Sequence, residues 1–510
     1  MALSILFSRA ITGLTVIPIR VEVDLARGLP SFSIVGLPDA AVRESRERVR
    51  AAIVNSGFEF PSYRVTVNLA PADLPKDSGR FDLSIAVGIL LASQQIRNSA
   101  ALKSALQQME FVGELSMTGT LLPVRGVFAL ALAGFTQDGN TKRLVLPLAN
   151  RAEASLTQRE HLLFAACLRD VVASLEAAQE FLSPMTITDV HAEPEDGLDW
   201  SDIVGQESAK SAAVVAVAGR HNLLMFGPPG VGKSMIAQRL PRLLPNLPLA
   251  HAQEVAAIKS IDQSLNTATW RRPPYRAPHH TTPSRALIGG GQPVRPGEIS
   301  LAHHGVLFLD ELPEFARDAL ESLREPLETA EVRIARVRER ANFPADVMLV
   351  AAMNPCPCGF FGVYPAMRAC RCSPDRVERY RARISGPLMD RFDLAVQLQA
   401  APHHAGPPVL SSRTSAEIAQ QVDAAHRRQL ERQGKLNSRL SVAELHRVAV
   451  LSAAAECLLQ QAAKRWAWSA RAWHRTIRVA RTVADLMADE CIHESHVAQA
   501  IEMHRATGLP

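Results

Sequence analysis

The alternation of apolar and polar positions divides the 510-residue chain into regions of different character. The N-terminal region mixes both periodicities. Period-two or short apolar runs predict strands at 16–24, 31–35, 63–69 and 143–146. Helical periodicity predicts helices at 39–55, 82–94, 127–135 and 168–181. Two runs at 111–115 and 120–124 flank a Ser-Met-Thr-Gly turn and predict a hairpin. The pattern therefore predicts an α+β domain over residues 1–185.

The rest of the chain changes pattern twice. Residues 186–199 are acidic and lack apolar periodicity, which predicts a linker. Between 200 and 400, apolar runs at 223–226, 306–309 and 347–353 are too short for helices and predict buried strands of an α/β domain. Residues 401–510 are dominated by helical periodicity and predict a helical domain.

Composition narrows the class of protein. Apolar content of 47% and charged content of 21% are typical of a folded protein rather than a disordered one. The net charge of +5 is small for this length and does not by itself indicate nucleic acid. The chain does not open with a signal-peptide pattern, and its apolar runs are shorter than a membrane span. We expect a cytoplasmic protein without a membrane partner.

A phosphate-binding loop follows the strand predicted at 223–226. Its sequence is Gly227-Pro228-Pro229-Gly230-Val231-Gly232-Lys233-Ser234, which fits the pattern G-x-x-x-x-G-K-[ST]. Glycines allow successive backbone N–H groups to point at phosphate oxygens, Lys233 would neutralise the β- and γ-phosphates, and Ser234 would coordinate Mg²⁺. A chance glycine-rich turn is the alternative, but the strand before the loop and the helical pattern after it favour binding of ATP and Mg²⁺.

The strand predicted at 306–309 ends in two carboxylates, Asp310 and Glu311. Downstream of a phosphate loop, this is the Walker B pattern: Asp310 would hold Mg²⁺ and Glu311 would polarise the attacking water. Without the phosphate loop, an apolar run that ends in Asp-Glu would be a weak signal.

Together these motifs resemble the AAA+ ATPases, and the resemblance implies further site residues. Gln206, in the segment that opens the domain, matches the element that lies against the adenine; the alternative is a helix start with Gln206 as a capping partner. Asn354 follows the strand at 347–353 and matches the γ-phosphate sensor 1, with a turn residue before proline as the alternative.

Two arginines match catalytic arginines of the same class. Arg391 matches the residue that reaches the neighbouring subunit's ATP in magnesium chelatase subunits and MCM helicases; the alternative is a salt bridge to Asp390 or Asp393. Arg471 matches sensor 2, on a helical lid above the nucleotide, and the alternative is a solvated basic helix face.

Residues 331–340 alternate Arg with apolar side chains and predict a β-hairpin that exposes Arg333, Arg336 and Arg338. With the Pro/Gly/His-rich insert at 276–291, the hairpin resembles the helix-2 insert and pre-sensor-1 hairpin of the magnesium chelatase and MCM clade. In ring helicases such hairpins line the pore, where arginines neutralise DNA phosphates without reading bases. The alternative is a charged surface hairpin.

Four of the seven cysteines lie close together after Asn354, in a C-x-C…C-x-C arrangement. They are Cys356, Cys358, Cys370 and Cys372. Four thiolates suit tetrahedral Zn²⁺, although the spacing within each pair is tighter than in common zinc motifs. The alternative is a set of free thiols in an ordered loop.

The N-terminal region resembles the ribosomal-S5-like domain of Lon proteases through Pro75-Lys76-Asp77-Ser78-Gly79 and through Gly113-Glu114-Leu115. Lon-type enzymes use a serine activated by a lysine. Arg80 falls at the position of that serine and Phe128 at the position of the lysine. The resemblance therefore implies the fold without the peptidase chemistry.

The whole chain resembles the YifB/ComM family, through the features above and through Gly36-Leu37-Pro38 and Asn-Pro-Cys-Pro-Cys-Gly at 354–359. The resemblance implies an S5-like domain at 1–185, a linker, a P-loop AAA+ core at 200–400 and a helical lid at 401–510. It also implies a homo-hexameric, ATP-driven helicase that promotes branch migration on single-stranded and branched DNA during natural transformation. The alternative is a chelatase-like motor that remodels a protein partner.

Overall fold

The computed structural model describes most of the chain. The described residues are 2–36, 40–72, 79–97, 99–134, 136–137, 140–177, 180–185, 197–291, 293–335, 340–362, 369–399 and 413–505.

A four-stranded sheet organises the first part of the N-terminal region. Its elements are β1 (Ala2–Thr12), β2 (Thr15–Ala26), β3 (Ser31–Val35), α1 (Ala40–Asn55), β4 (Arg64–Ala70) and α2 (Asp82–Ala92). The strand order is β1-β2-β4-β3, with β1 and β2 antiparallel and β3 parallel to β4. Helix α2 is buried along its whole length against this sheet, so it forms the centre of the N-terminal core.

Three parallel strands and short helices complete the N-terminal region. Its further elements are α3 (Ala100–Gln107), β5 (Met109–Phe111), β6 (Glu114–Leu115), β7 (Leu121–Leu122), α4 (Val127–Leu132), β8 (Thr136–Gln137), β9 (Asn140–Thr141), β10 (Arg143–Pro147), α5 (Arg151–Ser155), β11 (Leu162–Ala165) and α6 (Leu168–Leu175). The strand order is β11-β10-β5, and β6 with β7 confirms the predicted hairpin. The helix predicted to reach residue 181 ends at Leu175, because the backbone of Leu182 exchanges hydrogen bonds with Phe164.

The α/β region contains both the central sheet and its insertions. Its elements are α7 (Glu207–Gly219), β12 (Leu223–Phe226), α8 (Lys233–Leu243), α9 (Leu249–Asp262), β13 (Tyr275–Arg276), α10 (Ser284–Ile288), β14 (Gly289–Gly290), β15 (Arg295–Pro296), α11 (Glu298–Leu301), β16 (Val306–Leu309), α12 (Arg317–Ser322), α13 (Arg324–Thr329), β17 (Glu331–Ala335), β18 (Arg340–Pro344), β19 (Met348–Met353), α14 (Pro374–Arg381), α15 (Gly386–Met389) and β20 (Leu394–Gln397).

Five of these strands form a parallel sheet of order β13-β16-β19-β12-β20. Every residue of β12, β16 and β19 is buried, which explains their continuous apolar runs. Because the strands are parallel, the residues that follow β12, β16 and β19 meet at one edge of the sheet. The residues that precede β20 lie at the opposite edge.

Two insertion hairpins lie side by side. Strands β17 and β18 pair antiparallel with Arg333 opposite Asn342, which confirms the hairpin predicted at 331–340. Strands β14 and β15 form the second hairpin, and a Cβ at Gly289 would lie 3.2 Å from the Ile334 side chain. The base of the β14–β15 hairpin therefore lies against the C-terminal end of β17.

The C-terminal region is helical. Its elements are α16 (Ser415–Gln433), α17 (Val442–Val448), α18 (Ala453–Arg465), α19 (Ala470–Met487) and α20 (Glu494–Arg505). The multidomain α/β class, with a parallel sheet and a helical C-terminal region, is as predicted. None of the helices within the described ranges has both the length and the apolar character that crossing a membrane requires.

The N-terminal region packs directly on the α/β region through α4 and α9. The ring of Phe128 lies 6.4 Å from that of Trp270, and the Phe128 backbone N–H donates to Ser260 Oγ (3.1 Å). Phe128 and Arg80, which align with the Lon lysine and serine, are both buried. Phe128 thus serves interdomain packing. Residues 73–78, which carry most of the Lon-like Pro-Lys-Asp motif, lie outside the described residues, as do residues 37–38 of the Gly-Leu-Pro motif.

Candidate nucleotide site

The phosphate loop connects the end of β12 to the first turn of α8. Gly230 and Gly232 have φ values of 80° and 96°, which lie in the left-handed region that glycine adopts without steric cost. Gly232 is the N-cap of α8, and Lys233 is the first residue of the helix. The helix N-terminus therefore faces the loop, an arrangement that favours phosphate.

The Lys233 ammonium group is held by oxygen atoms of the loop and of the adjacent strand. It donates to the carbonyls of Gly227 (2.8 Å) and Pro228 (2.9 Å) and to Asn354 Oδ1 (3.0 Å). Burial lowers the pKa of Lys233 to about 8, against the opposing effect of Asp310 and Glu311. Asn354 thus lies beside the group predicted to bind the phosphates.

Oxygen ligands suited to Mg²⁺ meet between β12 and β16. Ser234 Oγ donates to Asp310 Oδ2 (2.7 Å), and the Glu311 backbone N–H donates to Asp310 Oδ1 (2.9 Å). A hydroxyl and a carboxylate at this separation fit a hard cation that keeps several waters. The structure therefore brings together the two predicted Mg²⁺ ligands.

Glu311 has a partner that the sequence did not indicate. Its side chain is half exposed, and Glu311 Oε2 lies 3.1 Å from His280 Nδ1. The His280 ring lies 4.1 Å from the ring of His279 at an angle of 34°, and His279 Nδ1 is within 2.9 Å of Thr281 Oγ1. Two adjacent histidines in the insert are compatible with either a metal pair or a structural role. The two adjacent histidines stand out in the sequence, but nothing in the sequence predicts that His280 contacts Glu311.

Gln206 links two segments next to the phosphate loop. Its Nε2 donates to the carbonyls of Val231 (3.3 Å) and Gln399 (2.6 Å). Gln206 is the N-cap residue of α7, but its side chain makes no capping bond. The capping alternative is therefore not observed, and contact with the adenine stays a prediction.

Arg391 lies at the edge of the sheet opposite to the phosphate loop, just before β20. Its Nη2 pairs with Glu328 Oε2 at 2.5 Å, whereas among the described residues Asp393 faces His221 (3.7 Å) and Asp390 faces Arg475 (3.9 Å). The salt bridge that we considered for Arg391 exists, but with a different partner.

Arg391 and Arg471 line one cleft of about 400 Å³. The cleft is rich in arginine, and its basic lining residues are Arg220, Arg391, Arg439, Arg471, Arg475 and Arg478. The expected position of Arg471, above the chain's own nucleotide, is wrong. Arg475 Nη1 donates to the Phe392 carbonyl (2.6 Å), and this bond fixes the first turns of α19 at the Arg391 edge. A catalytic role for Arg471 stays a prediction.

The predicted DNA contacts are only partly described. Arg333 is exposed on β17 and lies 3.3 Å from Glu331 on the same strand. Arg336 and Arg338 lie outside the described residues.

The sulfur atoms of the four clustered cysteines converge. All four lie within 4.8 Å of one another, with Cys356–Cys358 at 3.3 Å, Cys358–Cys370 at 3.5 Å and Cys356–Cys370 at 3.8 Å. Cys356 is buried and the other three are partly exposed. The structure therefore brings all four predicted zinc ligands, including Cys372, into one cluster.

Family comparisons cover almost the whole chain. Three family models match: "Subunit ChlI of Mg-chelatase" over residues 21–150, "Magnesium chelatase, subunit ChlI" over 199–405, and "Magnesium chelatase, subunit ChlI C-terminal" over 412–504. The second model indicates the AAA+ ATPase class.

Individual relatives extend from end to end. The chain is 43% identical to "Competence protein ComM" of Haemophilus influenzae and 42% identical to "Uncharacterized protein YifB" of Salmonella typhimurium. Each match covers 98% of this chain and 97% of the relative. A 38-residue stretch is also 55% identical to "Putative lon protease homolog" of Thermoplasma acidophilum and covers 8% of each chain.

Proposed function

Because the chain belongs to the YifB/ComM family of magnesium-chelatase-like AAA+ ATPases, we propose that it is an ATP-driven DNA helicase or translocase. It acts as a homo-hexamer and promotes branch migration on single-stranded and branched DNA during homologous recombination in natural transformation. The relative named a competence protein supports this biological role. We also propose a cytoplasmic location, where clustered thiols stay reduced.

The observation that carries the proposal is the separation of Arg391 from the phosphate loop. The loop follows the carboxyl end of β12, whereas Arg391 precedes the neighbouring parallel strand β20. Arg391 and Arg471 therefore face away from the nucleotide of their own chain. A head-to-tail assembly would place this arginine cleft against the next subunit's nucleotide, and such an interface forms a ring when the rotation between subunits closes.

In this assembly, each chain contributes two half-sites. Ser234 and Asp310 would hold Mg²⁺, which would neutralise phosphate charge. Lys233 exchanges its loop carbonyls for phosphate oxygens, and Glu311 orients the water that attacks the γ-phosphorus. Arg391 leaves Glu328 and, with Arg471, offsets the charge that develops on the transferred phosphoryl group.

In this proposal, the β17–β18 hairpin contacts the DNA. Arg333 is exposed there, and the sequence adds Arg336 and Arg338 to the same hairpin. Guanidinium groups bind phosphates irrespective of sequence, as a motor that moves along DNA requires. The neighbouring β14–β15 hairpin connects this surface to the segment that contains His280, and hence to Glu311.

The test is ATP hydrolysis and strand exchange by the purified full-length protein, with single-stranded DNA, forked DNA, three-stranded DNA or no DNA. We expect hydrolysis to rise several-fold with single-stranded or branched DNA at low salt, and the three-stranded substrate to be resolved only with ATP. The Lys233→Ala variant is the control and should show neither effect. Basal hydrolysis without any response to DNA would contradict the proposal and would favour the alternative of a motor that remodels a protein partner.

A further inference from the structure

We propose that Cys356, Cys358, Cys370 and Cys372 hold one structural Zn²⁺, and that this ion braces the turn after Asn354 against the phosphate loop. The bracing part of the inference rests on the proposed nucleotide site but not on DNA binding. The metal part is independent of both.

The sulfur positions match a tetrahedral thiolate site. With Zn–S bonds of about 2.3 Å, a tetrahedron places its sulfur atoms about 3.8 Å apart. The three measured separations lie between 3.3 and 3.8 Å. A disulfide would bring two sulfur atoms to about 2.05 Å, so the separations among Cys356, Cys358 and Cys370 fit ligands of one ion and not disulfides. The Cys372 sulfur lies within 4.8 Å of the other three and completes the set.

Burial does not explain why the four side chains converge. Three of the four cysteines are partly exposed, so the cluster is not a small apolar core. Backbone groups point at the sulfurs: the N–H groups of Phe360 and Arg371 face Cys358, and the Cys372 N–H donates to Cys370 Sγ (3.5 Å). Donors of this kind stabilise metal-bound thiolates and fix their orientation.

The cysteine turn is physically continuous with the nucleotide site. Cys356 lies two residues after Asn354, whose Oδ1 accepts from Lys233 Nζ. Gly359, with φ of 86°, closes the turn by donating to the Cys356 carbonyl (2.9 Å). A Cβ at Gly359 would lie 2.6 Å from Pro229 of the phosphate loop, so the turn and the loop are in close contact.

These contacts determine what zinc would do. Cys370 and Cys372 lie on a separate segment, so an ion that joins them to Cys356 and Cys358 closes the turn from outside. Loss of the ion would allow the turn to open and would free both Asn354 and Pro229. Asn354 would then no longer be fixed beside Lys233, and hydrolysis would suffer more than nucleotide binding.

The metal part is tested by elemental analysis of full-length protein purified without added metal. We expect about one zinc per chain, and a tetrahedral thiolate spectrum after replacement by Co²⁺. Cys370→Ser with Cys372→Ser should remove the zinc. The matched control, Cys457→Ser with Cys491→Ser, changes two cysteines outside the cluster and should retain it. Metal-free wild-type protein, or equal zinc in both double variants, would overturn the assignment.

The bracing part is tested by comparing hydrolysis with nucleotide binding. In the Cys370→Ser, Cys372→Ser variant we expect kcat to fall about tenfold or more, while the Kd for a fluorescent ATP analogue changes little. Wild-type protein that is stripped of zinc with a chelator, freed of the chelator and assayed in Mg²⁺ should lose hydrolysis in the same way and regain it when Zn²⁺ is added.

The outcomes separate the two proposals. Zinc-free protein that hydrolyses ATP at the wild-type rate would refute the brace. If circular dichroism shows that the serine variant does not fold, the ATP hydrolysis rate of wild-type protein stripped of zinc tests the brace instead. Wild-type protein that binds zinc but never hydrolyses ATP would refute the proposed motor and, with it, the brace, while leaving the zinc site standing.

Discussion

At the scale of single residues, the charge of Lys233 depends on what surrounds it. The ammonium group is almost fully buried between two carbonyls and an amide oxygen, which are neutral acceptors. Burial lowers its pKa from 10.5 to about 8, so the free protein loses this proton as the pH rises through 8. A bound triphosphate supplies negative charge and raises the pKa again. The protein must therefore take up a proton when ATP binds above pH 8.

We predict that ATP binding at about pH 8.5 is accompanied by uptake of up to one proton and weakens as the pH rises further. Calorimetric titration in two buffers of different ionisation enthalpy measures this uptake. Lys233→Arg is the matched control, because a guanidinium group stays protonated throughout this range. Equal uptake by the wild-type protein and this variant would assign the proton to another group.

Residue contacts differ in how far sequence predicts them. Ser234, Asp310 and Asn354 were predicted one by one, from motifs that follow short apolar runs. The structure explains why they meet, because those runs form parallel strands and parallel strands end at one edge of the sheet. The pairs His280–Glu311 and Arg391–Glu328 join segments far apart in sequence without any periodic signal. The position of Arg471 at the Arg391 edge of the sheet results from the packing of α19. A basic helical pattern in the sequence does not predict how a helix packs.

At the scale of elements, the β17–β18 hairpin was predicted because arginines recur among apolar side chains along residues 331–340. By contrast, the sequence did not predict β1. Ser8 and Arg9 interrupt its apolar pattern, and both are fully buried. Arg9 pairs with Glu110 at 2.5 Å, and Ser8 donates to the Phe111 carbonyl (2.7 Å). When buried polar residues form hydrogen bonds with partners about a hundred positions away, the hydrophobic pattern alone does not distinguish their strand from a surface segment.

The hairpin prediction concerns salt dependence. Arg333→Ala should weaken binding to a single-stranded oligonucleotide and reduce the slope of log K against log salt by about 0.7, the value for one lost phosphate contact on a single strand. Fluorescence anisotropy at several salt concentrations measures the slope, and hydrolysis without DNA should be unchanged.

A suitable control for Arg333 is Arg427→Ala, because Arg427 is an equally exposed arginine on α16 that pairs with Asp423. It should leave the slope as in the wild-type protein. If Arg333→Ala leaves the slope unchanged as well, the hairpin does not contact the DNA backbone at this position.

At the scale of the whole molecule, the N-terminal region is packed on the motor rather than tethered to it. Phe128 is fully buried, and its cluster contains apolar residues of both regions. We predict that Phe128→Ala separates the regions, so that a glutamate-specific protease cleaves the acidic segment at 186–199, which contains Glu195 but no Lys or Arg, faster than in the wild-type protein, and the Tm falls by several degrees. Leu29→Ala is the control, since Leu29 is 89% exposed. Unchanged proteolysis in Phe128→Ala would mean that other contacts hold the regions together.

Lys233 and Arg391 lie at opposite edges of the sheet, and this arrangement predicts how subunits must combine to form an active site. If each active site combines Lys233 of one chain with Arg391 of the next, then Lys233→Ala and Arg391→Ala proteins are each inactive for different reasons. In an equal mixture that exchanges subunits, roughly a quarter of the interfaces join an intact Lys233 to an intact Arg391, since the two defects fall on separate chains. We therefore predict that the mixture regains up to about a quarter of the wild-type basal hydrolysis, measured per chain. Mixing either variant with Lys233→Ala, Arg391→Ala double-variant protein should restore nothing, because no interface then holds both side chains. If subunit exchange is verified by fluorescence energy transfer and the mixture still stays inactive, the two residues do not complete one site across an interface.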